Sequence, residues 1–320
     1  MRKTSLLLLA IITLSFVACD DVEDPYEHLP KVCSCQVTDS SQVIQKTSDQ
    51  DFGARKLLLE EYTGIRCGNC PDMANIINSI SATFGDSVIV VALQAYTSSL
   101  SAPDDKHPID LRNPALTVYD GSIQNGSTIP YALVNDKSSN GKAGQGNVRS
   151  MSEALLKDAS WHTSNKLKLS MKSSFSQECN SVLLEVNSEA LADLPNGANL
   201  IVYLLENNME APQTQYNALT VEEFATWNDE NPEYPVKKKQ KHKHVLRAAY
   251  PSPWGEELFV SSTSAGTIAN NVINFCIEPF AAAEYTRPDI VPENCDLVAL
   301  AYDLETKEIL FSEIIHSIAQ

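Results

Sequence analysis

Positive charge is scarce in this sequence. Lys and Arg number 24 against 41 Asp and Glu, which gives a formal net charge of −17 over 320 residues. A phosphate backbone is held by a basic face, so this balance excludes a nucleic-acid binder. An apolar run long enough to cross a bilayer is also missing. The longest, Leu6 to Val17, falls short of the roughly 20 residues that a spanning helix needs. What is present is a 43% hydrophobic content that suits a globular protein with a true core, in a chain longer than one average domain.

The short apolar run follows Arg2 and Lys3 and ends Phe16-Val17-Ala18-Cys19, so residues 1–18 form a targeting segment. A small residue before a cysteine at that point resembles a bacterial lipobox, with Phe16 standing where Leu is usual. The resemblance implies cleavage that leaves Cys19 as the lipid-carrying N-terminus. An ordinary signal peptide with an incidental cysteine is the alternative. The next residues, Asp20-Asp21-Val22-Glu23-Asp24, resemble the surface-export signal of Bacteroidetes lipoproteins, and a solvated tether is the plain reading. Residues 19–52 lack periodicity and are rich in Asp, Ser, Gln and Thr, so they are expected to be a flexible acidic tether. Together these features imply a lipid-anchored protein of the outer membrane, open to the cell surface if the export signal acts.

Eight cysteines fit an exported chain. With Cys19 set aside, seven remain: Cys33, Cys35, Cys67, Cys70, Cys179, Cys276 and Cys295. An odd number leaves one thiol free or transiently paired. Cys33-Ser34-Cys35 would make a strained bridge with itself. Pairing elsewhere, or a metal shared with Cys67 and Cys70, are the other readings, and no metal or cofactor is expected. Cys276 and Cys295, at strand ends, could bridge, which makes Cys179 the candidate odd thiol.

Residues 53–159 alternate strand and helix. The run Lys56 to Tyr62 reads as a buried strand, and Cys67 to Phe84 as a helix whose Met73, Ile76, Ile77, Ile80 and Phe84 share one side. Ser87 to Gln94 is a β-branched central strand, residues 95–110 a polar loop, and Leu111 to Tyr119 a short helix. Ser127 to Asn135 contains Pro130 and continues as a strand, Asn140-Gly141 turns a hairpin, and Val148 to Leu156 is a helix. A strand that delivers Cys67-Gly68-Asn69-Cys70 to a helix N-terminus is a redox-active arrangement. The unpaired N–H groups and partial positive charge there favour a thiolate, the species that attacks disulfides. Cys67, before the helix, is expected to be the more exposed, attacking sulfur, and Cys70 the resolving one; a structural disulfide is the alternative.

This stretch resembles a thioredoxin-like domain. The strand entering Cys67-Gly68-Asn69-Cys70, Glu61 six residues before Cys67, and Ile129-Pro130 opening a later strand carry the resemblance. It implies that Glu61 is a buried proton carrier beneath Cys70. It also implies that Pro130 is cis beside the cysteine pair, keeping metal away and leaving the Ile129 backbone free for a partner strand. Two features depart from the pattern. The distance from Cys67 to Pro130 is longer than in the smallest thioredoxins, which the 95–110 loop accounts for. Arg66 stands where Trp is common, losing an aromatic contact surface and adding a cation that could favour the Cys67 thiolate.

Residues 160–320 read as β. Lys166 to Lys172, Ser181 to Val186, Asn199 to Glu206, His244 to Ala249, Leu258 to Ser262, Val272 to Glu278, Asp296 to Asp303 and Ile309 to Ile315 are strands, and Val221 to Trp227 is a helix in a crossover. The series argues for an all-β sandwich of the immunoglobulin or fibronectin kind. The expected class is therefore α+β multidomain, a thioredoxin-like domain (53–159) followed by a β-sandwich (160–320). Lys237-Lys238-Lys239-Gln240-Lys241-His242-Lys243-His244, the one basic run, reads as a solvated loop before a protected edge strand, with an anion site as the alternative. His242 and His244 lack a third metal ligand.

The whole mature chain is similar to a family of Bacteroidetes outer-membrane lipoproteins, candidate surface adhesins or receptors that join a thioredoxin-like half to a β-rich half. Leu58-Leu59-Glu60-Glu61-Tyr62-Thr63-Gly64 before Cys67-Gly68-Asn69-Cys70-Pro71, and His244-Val245-Leu246-Arg247-Ala248, carry the similarity. Two functions follow as expectations. One is thiol–disulfide exchange with protein thiols or disulfides as partners. The other is a non-enzymatic adhesin or receptor in which the β domain binds a surface ligand.

Overall fold

The computed structural model describes residues 33, 35, 37–39, 42–48, 55–119, 123, 128–216, 236–277 and 285–320. Cys19, the acidic run after it and the helix expected at Val221 to Trp227 lie outside the described residues. The architecture is β-rich, with several sheets. In chain order the strands are β1 (Val43–Thr47), β2 (Leu57–Thr63), β3 (Val88–Gln94), β4 (Tyr131–Val134), β5 (Lys142–Ala143), β6 (Leu167–Ser176), β7 (Ser181–Ala190), β8 (Ala198–Glu206), β9 (Met209–Thr214), β10 (Val236–His242), β11 (Val245–Tyr250), β12 (Glu256–Phe259), β13 (Ile268–Cys276), β14 (Cys295–Asp303) and β15 (Ile309–Ile315). The helices are α1 (Cys70–Phe84), α2 (Thr117–Tyr119), α3 (Val148–Leu156) and α4 (Ala159–Thr163).

A nine-stranded sheet in the order β15-β14-β8-β11-β3-β2-β4-β5, with β12 added to β8, runs through the boundary expected at residue 159. The join is β11. It pairs antiparallel with β8 and meets β3 in parallel at Val245 and Ala92, where the Ala92 N–H donates to the His244 carbonyl at 2.7 Å. β2 pairs parallel with β3 and antiparallel with β4. Double burial explains the apolar runs that the sequence displays: all nine residues of β14 and all seven of β3 are buried.

Alternation sorts the β2 side chains. Leu57 and Leu59 pack under Met73, Ile77 and Ile80 of α1 and Val148 and Leu156 of α3. Leu58 and Tyr62 face the opposite cluster, with Tyr119, Ile201, Tyr203 and Val298. Farther along, a four-stranded sheet, β1-β6-β7-β13, closes a sheet-on-sheet core against β8, β14 and β15, filled by Leu169, Phe175, Val182, Leu184, Leu200, Phe275 and Leu297.

The tether expectation needs correction in its last part. Val43–Thr47 is an edge strand in register with Ser176 to Lys172 of β6. Cys33 is bridged to Cys276 and Cys35 to Cys179, with Cα–Cα distances of 5.4 and 5.2 Å. The pairing of Cys276 with Cys295 is thus overturned, because Cys276 is bridged to Cys33. A metal shared by Cys33, Cys35, Cys67 and Cys70 is likewise overturned. Among the described residues the free thiol is Cys295 rather than Cys179; it is buried, donates to the Val291 carbonyl at 3.3 Å, and burial pushes its pKa well up. The basic run is also not a loop: Val236–His242 is β10, paired with β9.

A buried polar network ties the two parts of the large sheet. Lys137, just after β4, places its Nζ 2.7 and 3.0 Å from the Glu60 carboxylate oxygens and 2.8 Å from the Tyr203 hydroxyl. The Tyr203 hydroxyl donates to Glu60 at 2.9 Å, and the Tyr119 ring lies 4.3 Å from Nζ. Lys137 and Glu60 are essentially inaccessible. Removing one partner of such a pair strands the other charge, so Lys137→Met is expected to cost roughly 3–5 kcal/mol, and the double change Glu60→Leu with Lys137→Met far less. Urea denaturation of the two variants checks this; equal losses would contradict it.

Candidate functional site

The turn between β2 and α1 carries the cysteines. It is compact because its amides close on themselves: Cys67 N–H donates to Gly64 O at 3.1 Å, and Cys70 N–H to Cys67 O at 3.2 Å. The helix begins at Cys70, three residues later than the sequence suggested, with Asn69 as its N-cap and Pro71 in its first turn, where a missing N–H costs no helical bond. Cys67 and Cys70 are bridged. Two glycines permit close approaches here. A Cβ at Gly64 would lie 2.5 Å from the Leu100 carbonyl and 2.8 Å from the Ile129 side chain. A Cβ at Gly68 would lie 2.3–2.4 Å from the ring of Tyr216.

Glu61 sits on β2 with Leu57 and Leu59, so alternation turns it to the face that α1 covers, while Cys67 and Cys70 pack in the cluster of Leu58 and Tyr62. It is buried, and its Oε1 has no hydrogen-bond partner among the described residues. Burial pushes its carboxyl up to about 8. The Ile129–Pro130 peptide is cis, and the flanking Ile129 and Tyr131 pack in the same cluster as Cys67 and Cys70. Tyr131 also stacks on Tyr62, with ring centroids 4.5 Å apart. Of the candidate site residues, Cys67 and Cys70 share a cluster with the neighbours of Pro130, and Glu61 is buried on the strand that leads into them.

Two expectations for the site change. Cys67 is not exposed: it is 3% accessible, against 1% for Cys70. The Arg66 cation is engaged elsewhere, its Nε 3.0 Å from the Asp104 carboxylate. The covering of Cys67 comes from a stretch of the second half laid along residues 64–68. β9 and its extension reach the turn, where Thr214 N–H donates to Ile65 O at 2.8 Å and Tyr216 N–H to Gly68 O at 2.9 Å. The buried Gln213 amide donates to Gly64 O at 3.2 Å and Cys67 O at 3.1 Å.

A side-chain chain clamps this stretch. His107 Nδ1 lies 2.8 Å from Asp104 and Nε2 lies 2.9 Å from the Thr214 hydroxyl. A carboxylate only accepts, so Nδ1 carries the proton and Nε2 accepts from Thr214. Burial lowers the His107 pKa, more than the neighbouring Asp104 raises it, which keeps the ring neutral near pH 7. Asp104, His107 and Thr214 stand in the order of a nucleophilic triad. Thr214 is, however, buried and paired along its main chain on both sides, so the three act as a latch. None of this was visible in the sequence. Pro212 breaks the strand signature of Met209–Thr214, and a pairing partner beyond 140 residues away leaves no local trace.

The second carried motif, His244 to Ala248, lies on the joining strand. Arg247 is buried with Glu206 of β8 at 2.6 Å, donates to Pro288 O at 2.6 Å, and its own carbonyl accepts from Asn113 at 2.6 Å.

The fold resembles HBP35 of Porphyromonas gingivalis, with a TM-score of 0.53 at 14% identity over 82% of this chain and 75% of that one. A protein of Agrobacterium tumefaciens (TM-score 0.43, 14% identity, 83% and 96% covered) and a domain of the outer membrane lipoprotein Omp28 from Porphyromonas gingivalis (TM-score 0.27, 20% identity, 48% and 88% covered) are more distant and add nothing on fold. No curated protein sequence matches the chain. The family described as Omp28, outer membrane protein, matches residues 122–307, more than half of the chain, and on that match the chain belongs to the Omp28 outer membrane protein family.

Proposed function

We propose that this outer membrane protein performs thiol–disulfide exchange through Cys67 and Cys70, held at the membrane by lipid on Cys19. Residues 53–159 are the thioredoxin-like redox unit, and the β-sandwich of the second half supports it. The observation that carries the reading is the buried Glu61, whose Oε1 has no hydrogen-bond partner among the described residues, on the strand that leads into a bridged Cys-x-x-Cys pair. In a purely structural disulfide, a carboxyl buried without a partner is a cost with no return.

The chemistry starts from the bridged pair. A partner thiolate attacks the Cys67 sulfur, the Cys67–Cys70 bond breaks, and Cys70 leaves as a thiolate that takes the Glu61 proton. The partner's second thiolate then attacks its own sulfur in the mixed disulfide and releases Cys67. Two electrons pass from the partner to the pair, and the partner gains a disulfide. Run in reverse, Glu61 accepts the Cys70 proton and the partner is reduced. A carboxyl that titrates at about 8 serves either direction near neutral pH. The opposing reading, a surface adhesin with an idle motif, draws on the 3% accessibility of Cys67.

A Cys70→Ser variant expressed in cells is expected to accumulate mixed disulfides through Cys67, and the wild type to reduce insulin in the presence of dithiothreitol. No trapped partner together with no insulin reduction would sink the exchange reading.

Glu61 makes a separate prediction for stability. Its folded pKa is raised, so the folded state keeps a proton that the unfolded chain releases as pH climbs from 4.5 to about 8. Stability therefore falls through that window, by ~5 kcal/mol at most, and the loss is complete above it. Glu61→Gln is expected to flatten the decline and to gain stability over the wild type at pH 9. Urea midpoints at pH 5 and pH 9 measure the effect; parallel profiles would contradict it.

A further inference from the structure

The stretch Gln213–Tyr216 treats the cysteine turn as a partner strand would. Its amides at Thr214 and Tyr216 donate to Ile65 and Gly68, two main-chain bonds that step along the turn. The Gln213 amide adds bonds to Gly64 and Cys67 on the same edge. The Tyr216 ring closes on Gly68, at a distance that only glycine permits. The latch from Arg66 through Asp104 and His107 to Thr214 fixes the register. The outcome is a covered Cys67. Tyr216 itself remains 47% exposed, at the outer end of the stretch. By contrast, Met209 and Ala211, at the start of β9, are buried with Ile65, Leu111 and Val245 and anchor its other end.

We propose that Gln213–Tyr216 is an internal occupant of the partner-binding groove beside Cys67, and that the exchange partner is an extended protein segment that displaces it by pairing with residues 65–68 and setting a flat side chain over Gly68. The proposal rests on the exchange reading for its partner, while the occupancy stands on the contacts alone. It assigns Gly68 a task in the Cys67-Gly68-Asn69-Cys70 sequence: it is the floor on which the ring rests. Main-chain pairing supplies the affinity, and the ring over Gly68 supplies the selectivity. A groove filled in this way keeps the pair from reacting with small thiols that cannot compete for the main-chain bonds.

The test follows the full-length, oxidised protein in dithiothreitol, with alkylation at timed intervals and peptide mass mapping of each disulfide. This readout needs no partner and no turnover, so an inactive protein and a wrong assignment of the stretch give different results. Tyr216→Ala is expected to speed reduction of Cys67–Cys70 about tenfold. Gly68→Ala, whose new methyl expels the ring from the other side, should do the same. The double variant should be no faster than either, because both act through one contact. Cys33–Cys276 and Cys35–Cys179 serve as the internal control for local opening and should stay bridged in all variants. A synthetic peptide with the Met209–Tyr216 sequence is expected to slow the Tyr216→Ala variant back towards the wild-type rate. The proposal is overturned if Tyr216→Ala reduces at the wild-type rate or slower, or if the peptide leaves the accelerated rate unchanged.

Discussion

The parallel contact of β11 with β3 is the constraint on which the rest depends. It carries the sheet begun by β2–β5 into β8, β14 and β15, so the cysteine turn and the sheet-on-sheet core share one backbone frame. Because β9 and β10 precede β11 in the chain, fixing β11 beside β3 also brings β9 up to the turn that follows β2. Buried polar pairs hold the frame on either side of this join, Lys137 with Glu60 and Arg247 with Glu206. Buried ion pairs add little net stability against an apolar equivalent, but each one punishes any other alignment by stranding a charge. Here they fix which strands meet.

The site inherits its electrostatics from that frame. Glu60 and Glu61 are adjacent carboxylates with opposite fates, set by the two faces of one strand. Glu60 finds Lys137 and Tyr203; Glu61 is buried with its Oε1 unpaired among the described residues, and burial pushes its carboxyl up to about 8. Arg66, available in the sequence as a cation beside Cys67, is drawn off to Asp104 and serves the latch. The family match makes this an outer membrane protein of the Omp28 kind.

Much of the frame was legible in the residues. The β2 run, the apolar face of α1, the Pro195-Asn196-Gly197 turn with Gly197 at φ 72°, and the β14–β15 hairpin all follow from local period and turn chemistry. The helix at Val148–Leu156 and the strand at Ile309–Ile315 fall where the pattern puts them. Long-range pairing stayed hidden. Cysteine positions say nothing about which strands share a sheet, so Cys276 and Cys295 looked like partners although they lie on opposite layers of the core. A run of lysines suggested a solvated loop, whereas β10 pairs along its main chain and leaves Lys239 and Lys241 exposed. The covered Cys67 was beyond reach for the same reason, since the covering residues are polar, interrupted by Pro212 and distant in sequence.

On the proposed function, Cys67–Cys70 is the exchanging disulfide and the other two are structural. Equilibration of the full chain in glutathione buffers of graded ratio, followed by acid quench, alkylation and mass mapping, tests it most directly. Cys67 and Cys70 are expected to pass reversibly between dithiol and disulfide while Cys33–Cys276 and Cys35–Cys179 remain bridged throughout. Three disulfides that open together, or a Cys67–Cys70 bond that outlasts the others, would contradict it.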